Sequence, residues 1–148
     1  MDKFDVSTIG FTKTTAERFF DRLKLASVKT LIDVRLNNTS QLSGFAKAND
    51  LKFFVRELVG ANYVHEPLFA PNHDMLDEYK KNKGDWLVYE NKFMTLMADR
   101  RIEEKISPGI FSDACLLCSE DKPHQCHRRL VCEYLNIKWG GALRVRHL

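Results

Sequence analysis

A chain of 148 residues and 17.2 kDa is enough polypeptide for one domain with a real core. Its 44% hydrophobic, 11% aromatic and 29% charged residues, with only 7 Gly and 4 Pro, exclude disorder and fibrous repeats. Net charge is +3 and the isoelectric point about 8.7, mildly basic and well short of an overt nucleic-acid signature.

Apolar runs all fall short of the roughly 18 residues of a spanning helix, so no membrane role is expected. The start, Met1-Asp2-Lys3-Phe4-Asp5-Val6, puts charges where a secretory leader needs apolar residues, and a cytosolic protein is expected. Four cysteines are too few for a disulfide scaffold at this length and read as reduced thiols or parts of a site. Residues 119–148 are the most lopsided stretch, with Lys122, Arg128, Arg129, Lys138, Arg144 and Arg146 against Glu120, Asp121 and Glu133. That imbalance suits a phosphate-bearing ligand or simply a solvated basic surface.

In chain order, Lys3–Ile9 alternates and stops at Gly10, a first strand. The threonines from Thr12 to Thr15 offer caps for a helix through Leu25, its stripe carried by Phe19, Phe20 and Leu23. Thr30–Val34 is a short β-branched run, followed by a polar loop from Asn37 to Gly44. Asn49 is placed to cap a helix through Leu58 with Leu51, Phe54, Val55 and Leu58 on one face, stopped by Gly60. Asn62–His65 is the third strand. A short helix follows at Met75–Lys81, and a long helical pattern from Trp86 to Lys105 carries Leu87, Phe93, Met94, Met97 and Ile102. Ala114–Ser119 is the most apolar short run and reads as a central buried strand. Pro123 suits the opening of a helix running to about Asn136, and Gly140-Gly141 turns into a last strand, Ala142–His147.

The order β-α-β-α-β-α-α-β-α-β predicts one α/β domain over residues 1–148. Its mostly parallel sheet has about five strands with helices on both faces, Rossmann-like in class. No glycine-rich dinucleotide fingerprint or P-loop is present. In such a sheet the binding crevice lies at the carboxyl ends of the strands. That edge collects Thr8 and Gly10, Asp33 and Arg35, His65, Cys118 and Glu120, with Cys126, His127 and Arg128 opening the next helix.

Each candidate has a physical reason. Asp33 in an apolar strand is costly unless paired, so it is either a buried acid or base or the partner of Arg35. Cys115-Leu116-Leu117-Cys118 has CxxC spacing, but in a strand residues three apart point to opposite faces. Cys115 is therefore expected in the core and Cys118 at the site. Cys126 in a first helical turn, with His127, Arg128 and Arg129 near, is expected to favour thiolate and serve as nucleophile or polar wall; packing under the loop is the alternative. Cys132 is expected to pack. His65, Cys118, Cys126 and His127 suit zinc chemically, though they lack the tight spacing of a ligand pair, and no metal site is assigned. His73, His124 and His147 have weaker cases, and Asn37, Asn38, Ser40, Phe45 and Lys47 form a loop long enough to reach the crevice.

The fragments Thr8-Ile9-Gly10, Asp33-Val34-Arg35, Gly44-Phe45, Tyr63-Val64-His65, Leu116-Leu117-Cys118-Ser119-Glu120 through Cys126-His127-Arg128, and Val145-Arg146-His147-Leu148 fall in one order along the chain. Together they resemble the bacterial and archaeal family called domain of unknown function 488. The resemblance implies a small cytoplasmic α/β domain without an assigned reaction. Leu31-Ile32-Asp33-Val34-Arg35 also resembles the opening of rhodanese domains, but the ten-residue span from Cys118 to Arg128 does not fit their cysteine loop.

The expectation is an enzyme acting on an anionic substrate: a nucleotide, a nucleic-acid end or another phosphorylated molecule. Asp33 or Glu120 would be acid or base and Cys126 nucleophile, with Thr8, Gly10, Arg35, His65, Cys118, His127 and Arg128 lining the substrate. The alternatives are a non-catalytic nucleic-acid or protein binding module and, more weakly, a thiol- or metal-responsive protein. No cofactor is named by the sequence, and oligomeric state is left open.

Overall fold

The computed structural model describes residues 3–39, 44–81, 83–120 and 125–148. Five strands form one sheet: β1 (Phe4–Gly10), β2 (Thr30–Asp33), β3 (Asn62–His65), β4 (Ala114–Cys118) and β5 (Leu143–His147). Their order is β3-β2-β4-β1-β5 and every pairing is parallel. The carboxyl ends Gly10, Asp33, His65 and Cys118 therefore share one edge.

The alternation of side chains along β4 builds two cores. Ala114, Leu116 and Cys118 face one apolar cluster and Cys115 and Leu117 the other. The first cluster is covered by α3 (His73–Lys80), α4 (Trp86–Arg100) and α6 (His127–Lys138) through Met75, Tyr89, Phe93, Met97, Leu130 and Leu135. The second is covered by α1 (Ala16–Leu25) and α2 (Ala48–Phe54) through Phe19, Phe20, Leu23 and Leu51. The chain leaves β1 and β2 toward one face and β3 and β4 toward the other. β4, flanked by β1 and β2, is thus a switch point at whose carboxyl end a crevice opens. No helix among the described residues is long and apolar enough to cross a membrane.

Local differences from the sequence reading have identifiable causes. Thr15 caps α1 by accepting from the Arg18 N–H at 3.2 Å, as its position suggests. Asn49 does not cap α2, which opens at Ala48 after an extended Lys47. Beyond Phe54 the helix widens to a π-turn over Val55–Val59, which delays the helical period and leaves Leu58 about half exposed instead of facing the core. Gly60, at φ 75°, ends it in the left-handed region. The long pattern after Trp86 is two helices, because Arg101 turns left-handed at φ 52° before α5 (Ile102–Lys105). Leu87, expected inward, is exposed in the first turn of α4. α6 opens at His127; Pro123, the expected opening, lies outside the described residues.

Candidate functional site

A cavity of about 220 Å3 opens at the carboxyl end of β4. Arg35, Leu36 and Asn37 line it from the loop after β2, Cys118, Ser119 and Glu120 from the end of β4, and Gln125, Cys126 and His127 from the entrance to α6. Tyr79 and Lys80 of α3 and Trp86 and Tyr89 of α4 close the far side.

The floor holds two thiols and an imidazole, all buried. His127 Nε2 lies 2.6 Å from the Val34 carbonyl oxygen. A carbonyl only accepts, so Nε2 carries the proton and Nδ1 turns its lone pair toward Cys118 Sγ, 3.4 Å away. Phe93 packs against the ring, with centroids 5.5 Å apart. Cys126 stands at the N-cap of α6 in extended conformation, and its side chain makes no capping bond.

The two thiols are driven apart. Burial raises the Cys118 thiol, but the Cys126 thiol, the Ser119 backbone N–H and the Arg128 charge outweigh burial, and its pKa falls below the ordinary value. Burial and the adjacent Cys118 sulfur push Cys126 well above that value, against the pull of His127 and Arg128. This reverses the expectation that Cys126 is the thiolate. The positive charge beside Cys126 does not prevail, because burial and the donation of its proton to Cys118 outweigh it.

Thr8, Gly10, Asp33, His65 and Arg128 do not line the cavity; they hold its floor and the lining residues Arg35 and Glu120 in place. Asp33 is fully buried and accepts from Arg35 Nε at 2.9 Å, Arg35 Nη2 at 2.8 Å, the Arg35 backbone N–H at 3.1 Å and the Tyr63 hydroxyl. Of the two readings of Asp33, the geometry is that of the partner of Arg35. Tyr63 is raised by burial and by donating to Asp33, which keeps the phenol protonated. His65 Nε2 sits 2.8 Å from the Arg35 carbonyl oxygen, on the other side of the same loop.

Arg128 is fully buried; its Nε donates to Thr8 Oγ1 at 3.2 Å and its Nη1 to the Glu120 carbonyl. Thr8 Oγ1 also meets His147 Nδ1 at 2.5 Å. Gly10 has a steric role, because a Cβ there would overlap the Glu120 carbonyl and crowd Arg128. Arg128 and Gly10 thus shape the 118–120 loop from behind. The Glu120 carboxylate reaches the cavity rim, paired with Lys80 Nζ at 2.8 Å.

The family profile Domain of unknown function DUF488 matches residues 15–135. The chain belongs to the DUF488 family. No curated protein and no solved structure matches it significantly. Within this DUF488 chain, Arg35, Cys118, Glu120, Cys126 and His127 are the predicted residues brought together at the cavity.

Sequence reasoning missed the far wall. Trp86 stacks on Tyr89 with centroids 5.1 Å apart, and Tyr79 packs against both at 5.5 and 5.1 Å. The Tyr79-Lys80 pair and the Trp86/Tyr89 spacing were legible as aromatic helix positions, but nothing in them says that α3 and α4 fold over β4. Cys115 and Cys132 are core thiols, both pushed up to about 12 chiefly by burial. Asn37 lines the cavity, while Asn38 donates to the Tyr63 hydroxyl at 3.2 Å. Ser40, Lys122 and His124 lie outside the described residues.

Proposed function

We propose that this protein is a cytosolic enzyme that binds a phosphorylated, nucleotide-like substrate in the cavity beside β4 and attacks it with Cys118. One observation carries the reading: a thiol 3.4 Å from an imidazole Nδ1 whose other nitrogen is tied to a backbone carbonyl, on the floor of an open cavity. That arrangement supplies a nucleophile, a base within reach and a third group that sets the tautomer.

Arg35 Nη1 is buried at the lining with no hydrogen-bond partner among the described residues, Lys80 can exchange the Glu120 carboxylate for a substrate oxyanion, and the Tyr79–Trp86–Tyr89 wall offers a face for a planar ring. In the reaction Nδ1 takes the Cys118 proton as sulfur bonds to the electrophilic phosphorus or carbon. The leaving oxygen departs with that proton from His127, and water, deprotonated by the same nitrogen, then cleaves the sulfur adduct. Asp33 is a positioning residue that orients Arg35. A non-catalytic nucleotide-binding module is the second reading, since the basic and aromatic lining alone supports binding.

The test pairs two measurements on chelator-treated protein. Iodoacetamide labelling, resolved by peptide mass spectrometry, is expected to modify Cys118 first and Cys115 and Cys132 last. Hydrolysis of a panel of nucleotides and p-nitrophenyl phosphate is expected to fall about 100-fold or more in kcat/KM in both Cys118→Ser and His127→Gln. Turnover that survives Cys118→Ser overturns the nucleophile, and binding without turnover favours the module.

A further inference from the structure

We infer that Cys118, Cys126 and His127 form a site for one zinc ion, open to the cavity at its fourth position. Sγ of both cysteines and a ring nitrogen of His127 all lie within 4.8 Å of one another, and all three residues are buried. Zinc bonds of about 2.3 Å to sulfur and 2.0–2.1 Å to nitrogen set a tetrahedral S···N edge of about 3.5 Å. The Cys118 Sγ to His127 Nδ1 distance is 3.4 Å, so that edge is already in place.

Three further features agree. A metal-bound histidine characteristically donates its second ring N–H to a carbonyl or carboxylate, which fixes the ligating nitrogen; His127 Nε2 does this to Val34 at 2.6 Å. The donor set is soft, two thiolates and an imidazole, which selects zinc over magnesium or calcium. Two thiolates also neutralise a divalent ion, so the occupied cluster carries no net charge into a buried place.

The cavity gives the ion a way in and leaves one coordination position for water or a substrate oxygen. His65 is not part of the set, since its Nε2 is engaged at the Arg35 carbonyl. Cys115 faces the opposite core and Cys132 lies in the middle of α6. Coordination uses the same sulfur lone pair as nucleophilic attack, so the zinc-loaded and thiol-reactive proteins are alternative states of one cluster. The metal site stands on this geometry alone, whatever the substrate.

Chelator-treated protein is titrated with cobalt(II) and followed by absorption. The expected result is a saturable sulfur-to-cobalt charge-transfer band with tetrahedral d–d bands, complete at one ion per chain and abolished by added zinc(II). The band is expected to weaken in Cys126→Ser and to persist in the Cys115→Ser/Cys132→Ser double variant. Bound zinc is expected to protect Cys118 and Cys126 from alkylation. If Cys126→Ser does not fold by circular dichroism, the wild-type spectrum and the double variant decide. Weak octahedral bands without charge transfer, or a band lost with Cys115 and Cys132, overturn the site. Those outcomes leave the labelling order and hydrolysis of the chelated protein untouched, so this inference and the proposed activity fail separately.

Discussion

Asp33→Asn is the most informative single perturbation of the scaffold behind the cavity. Asp33 is fully buried and Arg35 is 2% exposed, so solvent screens neither charge. The carboxylate takes four donors: two guanidinium nitrogens, one backbone N–H and one phenol. Asparagine keeps the volume and one oxygen, but turns an amide N–H2 toward Arg35 Nη2 or Tyr63, donor against donor, and leaves the guanidinium buried without its counter-charge. Removing one partner of a buried pair costs about 3–5 kcal/mol, which for a chain of this size lowers Tm by roughly 10 °C. Urea and thermal unfolding followed by circular dichroism measure it directly. The double variant Asp33→Leu/Arg35→Met removes both charges and is expected to regain most of the loss, because a buried pair and an apolar pair are nearly equivalent in stability. A single-variant loss below about 1 kcal/mol, the range of exposed pairs, would refute the burial argument.

Other consequences are as direct. Gly10→Ala is expected to destabilise by about 2–3 kcal/mol through backbone overlap at Glu120 and to change Cys118 labelling, since it displaces the loop that carries the thiol. Arg101→Gly relieves a left-handed residue between α4 and α5 and is expected to raise stability by about 0.5–1 kcal/mol in urea unfolding. Cys115 and Cys132 hold their protons in the folded state to about 12. The unfolded chain releases them from about pH 8.5, so the stabilisation present below that pH is lost as pH rises toward 12. Urea midpoints are expected to fall steeply over that range, and less steeply in Cys115→Ala/Cys132→Ala. An equal slope in that variant would assign the alkaline loss to Cys126 and the buried tyrosines.

The sequence alone determined the elements and the edge on which chemistry-bearing residues gather. Periodicity is local: an alternating run ended by Gly10 marks a strand, and helical stripes ended by Gly60 and the Gly140-Gly141 turn mark helices, without reference to anything distant. Alternation of those elements implies a parallel sheet, and a parallel sheet puts all the strand carboxyl ends together. That is why Arg35, Cys118, Glu120, Cys126 and His127, spread over more than ninety residues, could be named as one group. The break at Arg101 and the π-turn after Phe54 were not legible, because both depend on how the helices seat against the core.

Only the tertiary structure decided which member of the group does what. Burial and hydrogen bonding set the order of the two thiols, and those depend on the close approach of Cys126 to Cys118, eight positions earlier in the chain. The tautomer of His127 rests on the carbonyl of Val34, 93 residues away. Asp33 satisfies its charge on Arg35, two residues along, and so stands behind the cavity and not in it. A side chain's type is written in the sequence, but its protonation and reach are fixed by neighbours that only the fold brings within a few ångströms.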